Sequence, residues 1–205
     1  MASPPWSKGD RQDNVRKAKL ERRDAVLESR RVAILENAEE WLDTYRQGWL
    51  AHLQATGEAD YKGRYVRPKN STVPAGRGVN LAQSRLVLIT SAGAYLRDHQ
   101  PPFDADNLLG DYTLRLFPSS TRLDALAYAH DHYDHSAVNS DPQVLVPLRH
   151  LENLVVDGVI GELAPCVISF SGYQPDATRT VSEVIPAVIE AARAAEIDAA
   201  LLVPA

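Results

Sequence analysis

At 205 residues the chain is long enough for one sizeable α/β domain, or for a smaller domain with a helical appendage. With 44% hydrophobic and 24% charged residues it has the composition of a soluble globular protein, and no apolar run approaches the roughly 20 residues that span a bilayer. The net charge of -5 is uneven: residues 8–31 hold nine Lys/Arg and five Asp/Glu in alternating order, the mark of a solvated helix face rather than a nucleic-acid surface.

In chain order, the first ten residues, with Pro4, Pro5, Lys8 and Asp10, lack the apolar core of a signal peptide, so a cytoplasmic location is expected. Residues 11–55 read as helix. Leu27, Ile34, Ala38, Trp41, Tyr45, Trp49 and Leu53 recur at three- and four-residue steps, and no proline falls between Arg11 and Arg67. Trp41 and Trp49 are expected to dock this helix on the main domain or on a second subunit. Residues 57–83, punctuated by Gly57, Gly63, Pro68, Pro74, Gly76 and Gly78, read as a linker that wraps the surface or borders a site.

From Arg85 the pattern changes. Leu86–Thr90 is a continuous β-prone run that ends in the small residues Ser91–Ala94, as a buried parallel strand does. Tyr112–Phe117 alternates and predicts a strand stopped at Pro118, and Leu126–Ala129 leads into a cluster of histidines. A helix is predicted over Leu148–Val156, after Pro147 and before Asp157-Gly158. Cys166–Phe170 predicts another strand. Its lone cysteine excludes an internal disulfide, a Cys-rich zinc site and a Cys-x-x-Cys redox centre, and its apolar setting predicts a buried thiol. Residues 178–195 form an amphipathic pattern that must bend at Pro186 or begin just before it, and Asp198–Pro204 closes the chain as a strand. The expected fold is α/β, an open parallel or mixed sheet with flanking helices plus a long N-terminal helical extension. Its divisions would be residues 1–56, a linker over 57–84 and a domain over 85–205.

Half of the six histidines fall in His130-Asp131-His132-Tyr133-Asp134-His135. On an extended backbone His130, His132 and Asp134 would share one face, and Asp131, Tyr133 and His135 the other. Two imidazoles and a carboxylate on one face suit a metal or a substrate. The run also resembles the His-x-His-x-Asp-His signature of the metallo-β-lactamase superfamily, whose two-metal site needs further ligands downstream. After His135 only His150 remains, in a predicted helix, which argues against that family. A mononuclear zinc or iron site using His130, His132 and Asp134 or His135 stays open beside a substrate site and a structural hydrogen-bond network. No nucleotide-binding motif is evident.

Ser91-Ala92-Gly93-Ala94-Tyr95, Pro102-Phe103-Asp104, Leu109-Gly110-Asp111-Tyr112, Leu116-Phe117-Pro118-Ser119, the His130–Asp134 run and Leu154–Gly161 occur in one order over about residues 85–205. That order resembles the glycine/sarcosine/betaine reductase selenoprotein B family, which includes the D-proline reductase subunit. The resemblance implies reductive cleavage of a C–N bond α to a carboxylate. There a selenolate or thiolate attacks the α-carbon, and the selenoether passes to a partner protein. It places the chalcogen in a Sec- or Cys-containing motif just after the strand matching Asp198–Pro204. The sequence in hand ends at Ala205, and Cys166, roughly 40 residues earlier on another strand and without a resolving partner, is a poor substitute.

Three readings stay open: a Cys or Sec motif that follows Ala205, a variant that has lost the nucleophile, and a thiol- or selenol-bearing partner protein that supplies it. The candidate catalytic residues are His130, Asp131, His132, Tyr133, Asp134 and His135, with Tyr133 or His135 moving a proton. The candidate metal ligands are His130, His132, Asp134 and His135. Ser91, Gly93, Asp104, Asp111 and Arg115 are candidate substrate-binding residues, Arg115 as a bidentate partner of a carboxylate. The expected function is that of a reductase-like or lyase-like subunit acting on a small amino- or thio-substituted acid, oligomeric through its N-terminal helix. The competing expectations are a mononuclear metal-dependent hydrolase or lyase and a non-catalytic partner subunit.

Overall fold

The computed structural model describes residues 35–60, 62–63, 66–72, 78–130 and 133–205. Leu35–Ala205 forms one compact unit. It opens with α1 (Ala38–Thr44), which runs through a wide π turn (Tyr45–Leu50) into α2 (Ala51–Thr56). Trp49 is buried and stacks on Tyr45, with ring centroids 5.8 Å apart, and α1 packs against a short helix late in the chain. The long extension expected over 11–55 is thus helical from Ala38 onward. Its front, with the oligomer contact expected there, lies outside the described residues, and a long extension is not shown. No described helix is long and apolar enough to cross a membrane.

The sheet is built around β1 (Arg85–Thr90), whose side chains from Leu86 on are buried on both faces. β7 (Ala199–Val203) runs parallel to it over its whole length, pairing Leu86 with Ala199 through Thr90 with Val203. The other edge of β1 is shared. β5 (Glu162–Leu163) pairs in parallel with its start and β6 (Cys166–Phe170) with its end, Ala164-Pro165 making the step between them. β3 (Leu114–Pro118) lies antiparallel on β6. A separate antiparallel ribbon joins β2 (Ala94–Leu96) to β4 (Leu126–Tyr128), with α3 (Ser136–Ser140) following. The observed sheet is therefore mixed, with helices on both faces.

Because strand side chains alternate, β1 serves two cores at once. Leu86 and Leu88 join Phe117, Val146, Val167 and the inward face of α4 (Leu148–Val156) through Leu148 and Leu151. Val87 and Ile89 face the other way, with Ala164, Ile168 and the Val188 and Ala191 side chains of α6 (Ile185–Ala194). Each such buried aliphatic side chain contributes roughly 1.5–3 kcal/mol, which is why the strand reads as an unbroken apolar run.

The pattern over 178–195 is one helical path in three pieces. α5 (Ala177–Arg179), capped by the Asp176 carboxylate, leads into a π turn (Thr180–Val184) and then α6, whose first turn contains Pro186. The wide turn takes up the break that proline would otherwise force, since proline has no N–H for the preceding turn. Two strand boundaries also differ from expectation. β3 begins at Leu114 rather than Tyr112 and retains Pro118, which its position at the sheet edge tolerates. Tyr112 is instead buried, its hydroxyl accepting the Asp176 N–H at 2.9 Å while Arg179 lies 3.9 Å over its ring.

Candidate active site

β1 and β6 end in matching chemistry. Ile89-Thr90-Ser91-Ala92-Gly93 and Ile168-Ser169-Phe170-Ser171-Gly172 both turn from apolar to hydroxyl-bearing and then to glycine. Thr90, Ser169 and Ser171 are buried at these carboxyl ends, the Ser169 Oγ without a partner among the described residues. None of the three was singled out in the sequence, although the repeated pattern marks them. Ser91 is tied to two segments by three bonds: its N–H donates to the Val203 carbonyl (3.2 Å), its Oγ accepts from Ala205 N–H (2.9 Å), and its carbonyl accepts from Gly172 N–H (2.9 Å).

Gly93 fastens the second ribbon to this end of the sheet. Its N–H donates to the Phe170 carbonyl and its own carbonyl accepts from Ala129 N–H, both at 3.0 Å. Its φ of +64° lies in the left-handed region, and a Cβ there would sit 2.4 Å from the Ala129 carbonyl oxygen. The residue after Ala129 is His130, so this close approach sets His130 against the sheet. Its imidazole is buried, and a Cβ on Gly172 would lie 2.9 Å from its Nε2. Two glycines thus let one imidazole close on backbone.

At the end of the His/Asp run, among the described residues, the extended backbone assumed for it gives way to a turn. β4 stops at Tyr128, and His135 already has helical angles, φ -75° and ψ -5°, at the start of α3. The alternation of faces is replaced by a turn, because Asp134 accepts both the N–H and the hydroxyl of Ser136 at 2.8 Å, as turn-forming aspartates do. Those bonds hold the exposed Asp134 carboxyl below the usual range.

The turn gathers His130, Tyr133 and His135 instead. The Tyr133 ring lies 4.9 Å from that of His130 and 4.5 Å from that of His135, and its hydroxyl donates to the Ala92 carbonyl at 3.1 Å. His135 Nε2 meets the His130 carbonyl at 2.7 Å. A carbonyl only accepts, so Nε2 carries the proton, and Nδ1 is the nitrogen left to exchange one. Asp131 and His132 lie outside the described residues. Among those described, no three His, Cys, Asp or Glu side chains converge as ligands for one metal ion.

Asp104, Asp111 and Arg115 are placed in a different setting. Asp111 accepts the Asp104 N–H (2.9 Å) and both the N–H and hydroxyl of Thr113. Burial pushes its carboxyl up, but these bonds and the Arg115 charge outweigh burial and hold it low. Arg115 donates to the Pro101 and Pro102 carbonyls at 2.9 and 3.0 Å and to Thr113 Oγ1 at 2.8 Å, and it lies 4.4 Å over the Phe103 ring. In this structure the guanidinium is a clamp on residues 101–103. That loop is joined to the segment after β6, where Tyr173 donates its hydroxyl to the Leu108 carbonyl at 3.0 Å.

Cys166 stands at the far end. It opens β6, paired with Pro118, about 13 Å of strand from the site at Phe170. Burial pushes its thiol up, away from nucleophilic use.

Burial likewise pushes Tyr112 and Tyr133 up to about 12 and raises Tyr128 as well. A tyrosine with a folded value above its ordinary 10 stabilises the fold fully below pH 10, and that stabilisation is lost as pH rises through 12. In an absorbance titration of tyrosinate, three of the eight tyrosines should therefore ionise late and together with unfolding. Ordinary ionisation of all eight in the folded protein would contradict this burial.

The family described as glycine/sarcosine/betaine reductase selenoprotein B matches residues 50–204. The D-proline reductase subunit gamma of Acetoanaerobium sticklandii is 28% identical over 122 residues, which cover 60% of this chain and 49% of that protein. The sarcosine reductase complex component B subunit beta of Peptoclostridium acidaminophilum is 28% identical over 115 residues, 55% of this chain and 26% of that protein. The chain thus spans at most about half the length of these relatives. No solved structure matches it. With three quarters of its length inside that match and the site residues within it, the chain belongs to the glycine/sarcosine/betaine reductase selenoprotein B family.

Proposed function

We propose that this chain is a reductase-related subunit acting on a small amino- or thio-substituted carboxylic acid, in concert with a thiol- or selenol-bearing partner protein. The observation that carries the reading is the assembly of Ser91, His130, Tyr133 and His135 at the carboxyl ends of β1 and β6, where open α/β sheets bind ligands. The relatives named as reductase subunits support the requirement for protein partners.

In the proposed step the partner's thiolate or selenolate attacks the α-carbon, and the C–N bonding pair leaves with the amine. His135, as imidazolium, supplies the proton to the departing nitrogen through Nδ1, while its Nε2 stays on the His130 carbonyl. Tyr133, kept neutral by burial and bonded to Ala92, positions the two imidazoles. The chalcogen remains on the partner as a thioether or selenoether, and Cys166 takes no part.

An assay of sarcosine and D-proline cleavage with a thiol or selenol partner tests the reading. Turnover should depend on the partner, fall by about 100-fold in His135→Gln and be unchanged in Cys166→Ser. Absence of partner-dependent turnover would instead favour a non-catalytic subunit that keeps the fold. In the metal-dependent alternative, zinc or iron on His130, His132, Asp134 and His135 would take Nδ1 of His135, its Nε2 staying on the carbonyl, and would share the Asp134 carboxylate with Ser136. Metal analysis of the purified protein, with His130→Ala and His132→Ala controls, decides it: stoichiometric metal lost in both variants would replace the acid–base reading.

A further inference from the structure

His135 also lines a cavity of about 620 Å³ on the flank of the β2–β4 ribbon, bounded by Arg97, Asp124, Leu126, Tyr128 and Asn139. This size suits a small organic ligand. Two features of its wall call for an acceptor. The Tyr128 hydroxyl is buried and has no hydrogen-bond partner among the described residues, although buried hydroxyls almost always find one. Arg97 spends one donor on the Leu126 carbonyl at 3.0 Å, which fixes the guanidinium and leaves its other donors available.

The charged groups around the wall are Arg97, Arg122 and Asp124 and, close enough to act on Tyr128, Asp141, whose Oδ1 accepts the Gln143 N–H. Asp124 is the acidic group beside Arg97, and both its oxygens are taken by Arg122, at 3.0 and 2.6 Å. With Asp141 counted, Arg97, Arg122, Asp124 and Asp141 balance, and Arg97 is the cation whose donors no acidic group among the described residues occupies. Leu126 and Val138 add apolar wall to these polar groups, which suits a short aliphatic body with one anionic end on Arg97.

We propose that this cavity is a carboxylate-binding site, with Arg97 pairing the anion, Tyr128 donating its unpartnered hydroxyl and Asn139 completing the rim. This names where the acid substrate sits relative to His135, and so rests on the reading given under Proposed function. It differs from the sequence-based expectation for Arg115, whose donors are engaged by the 101–103 loop.

The test uses isobutyrate as the probe and isobutyramide as its uncharged isostere, followed by NMR titration of the labelled protein without turnover. Isobutyrate should shift the Arg97, Tyr128 and Asn139 resonances saturably, and the amide should bind at least about tenfold more weakly. Arg97→Gln and Tyr128→Phe should each weaken isobutyrate by about tenfold. Tyr128→Phe removes an unpartnered polar atom, so its melting temperature should be unchanged or raised, which a structural hydroxyl would not allow. Equal binding of acid and amide, absence of saturable shifts, or wild-type affinity in both variants would overturn the site. Partner-dependent turnover that persists in Arg97→Gln would overturn it too while leaving the reductase reading intact; carboxylate binding without turnover would do the reverse.

Discussion

Gly93→Ala should lose about 3–5 kcal/mol of stability, several times the loss from the same change at Gly57. Both glycines have positive φ, +64° and +75°, so each substitution carries the roughly 1–2 kcal/mol that an L-residue meets in the left-handed region. They differ in what a Cβ would touch. At Gly57 there is open space, whereas at Gly93 the Ala129 carbonyl oxygen is 2.4 Å away and its carbon 3.0 Å. Backbone cannot step aside as a side-chain tip can, so the ribbon must move and the bonds from Gly93 to Phe170 and Ala129 are strained or lost. Urea unfolding of the two variants measures the difference. Equal losses would mean that the close approach does not hold the ribbon, leaving a substrate contact as the reason for glycine at 93.

Trp49→Ala should cost about 3–5 kcal/mol, as truncation of buried tryptophans does, and lower the melting temperature by roughly 6–20 °C. The indole is 1% exposed and stacks on Tyr45 at an interplanar angle of 16°, on a helix that begins only at Ala38. Trp41, on the same helical path, is only half-buried and its indole N–H has no partner among the described residues, so Trp41→Ala should cost less, about 1–2 kcal/mol. Thermal unfolding of both variants checks the order. A Trp49 variant as stable as the parent would detach α1 and α2 from the energetics of the sheet, and their aromatic stripe would then need another explanation.

What could be read from the letters followed the strength of local signals. β1 and β6 were legible because buried strands leave continuous apolar runs, β7 because Ala199–Val203 is an unbroken apolar run although largely exposed, and α4 because Pro147 and Gly158 bracket its periodicity. β2 and β4 were not, since three residues carry no periodicity and the ribbon depends on pairing across about 30 positions. At the end of the His/Asp run the expected alternation fails: it presumes a strand, and the Asp134–Ser136 turn bends the chain instead. Arg115 shows the same limit, because nothing local to it announces the Pro101 and Pro102 carbonyls that occupy its donors.

The central strand has no local partner at all. Arg85 reaches Glu162 across 77 residues and Asp198 across 113, so closing the sheet means ordering most of the chain at once, the kind of topology that folds in milliseconds to seconds rather than microseconds. During synthesis at roughly 5–20 residues per second, β1 is displayed about 6–20 s before β7 can reach it. Both edges of that apolar run stand open until β5 and β6 emerge, and the edge that β7 covers stays open for the whole interval, so the yield of folded protein depends on how well chaperones shield it until β7 arrives.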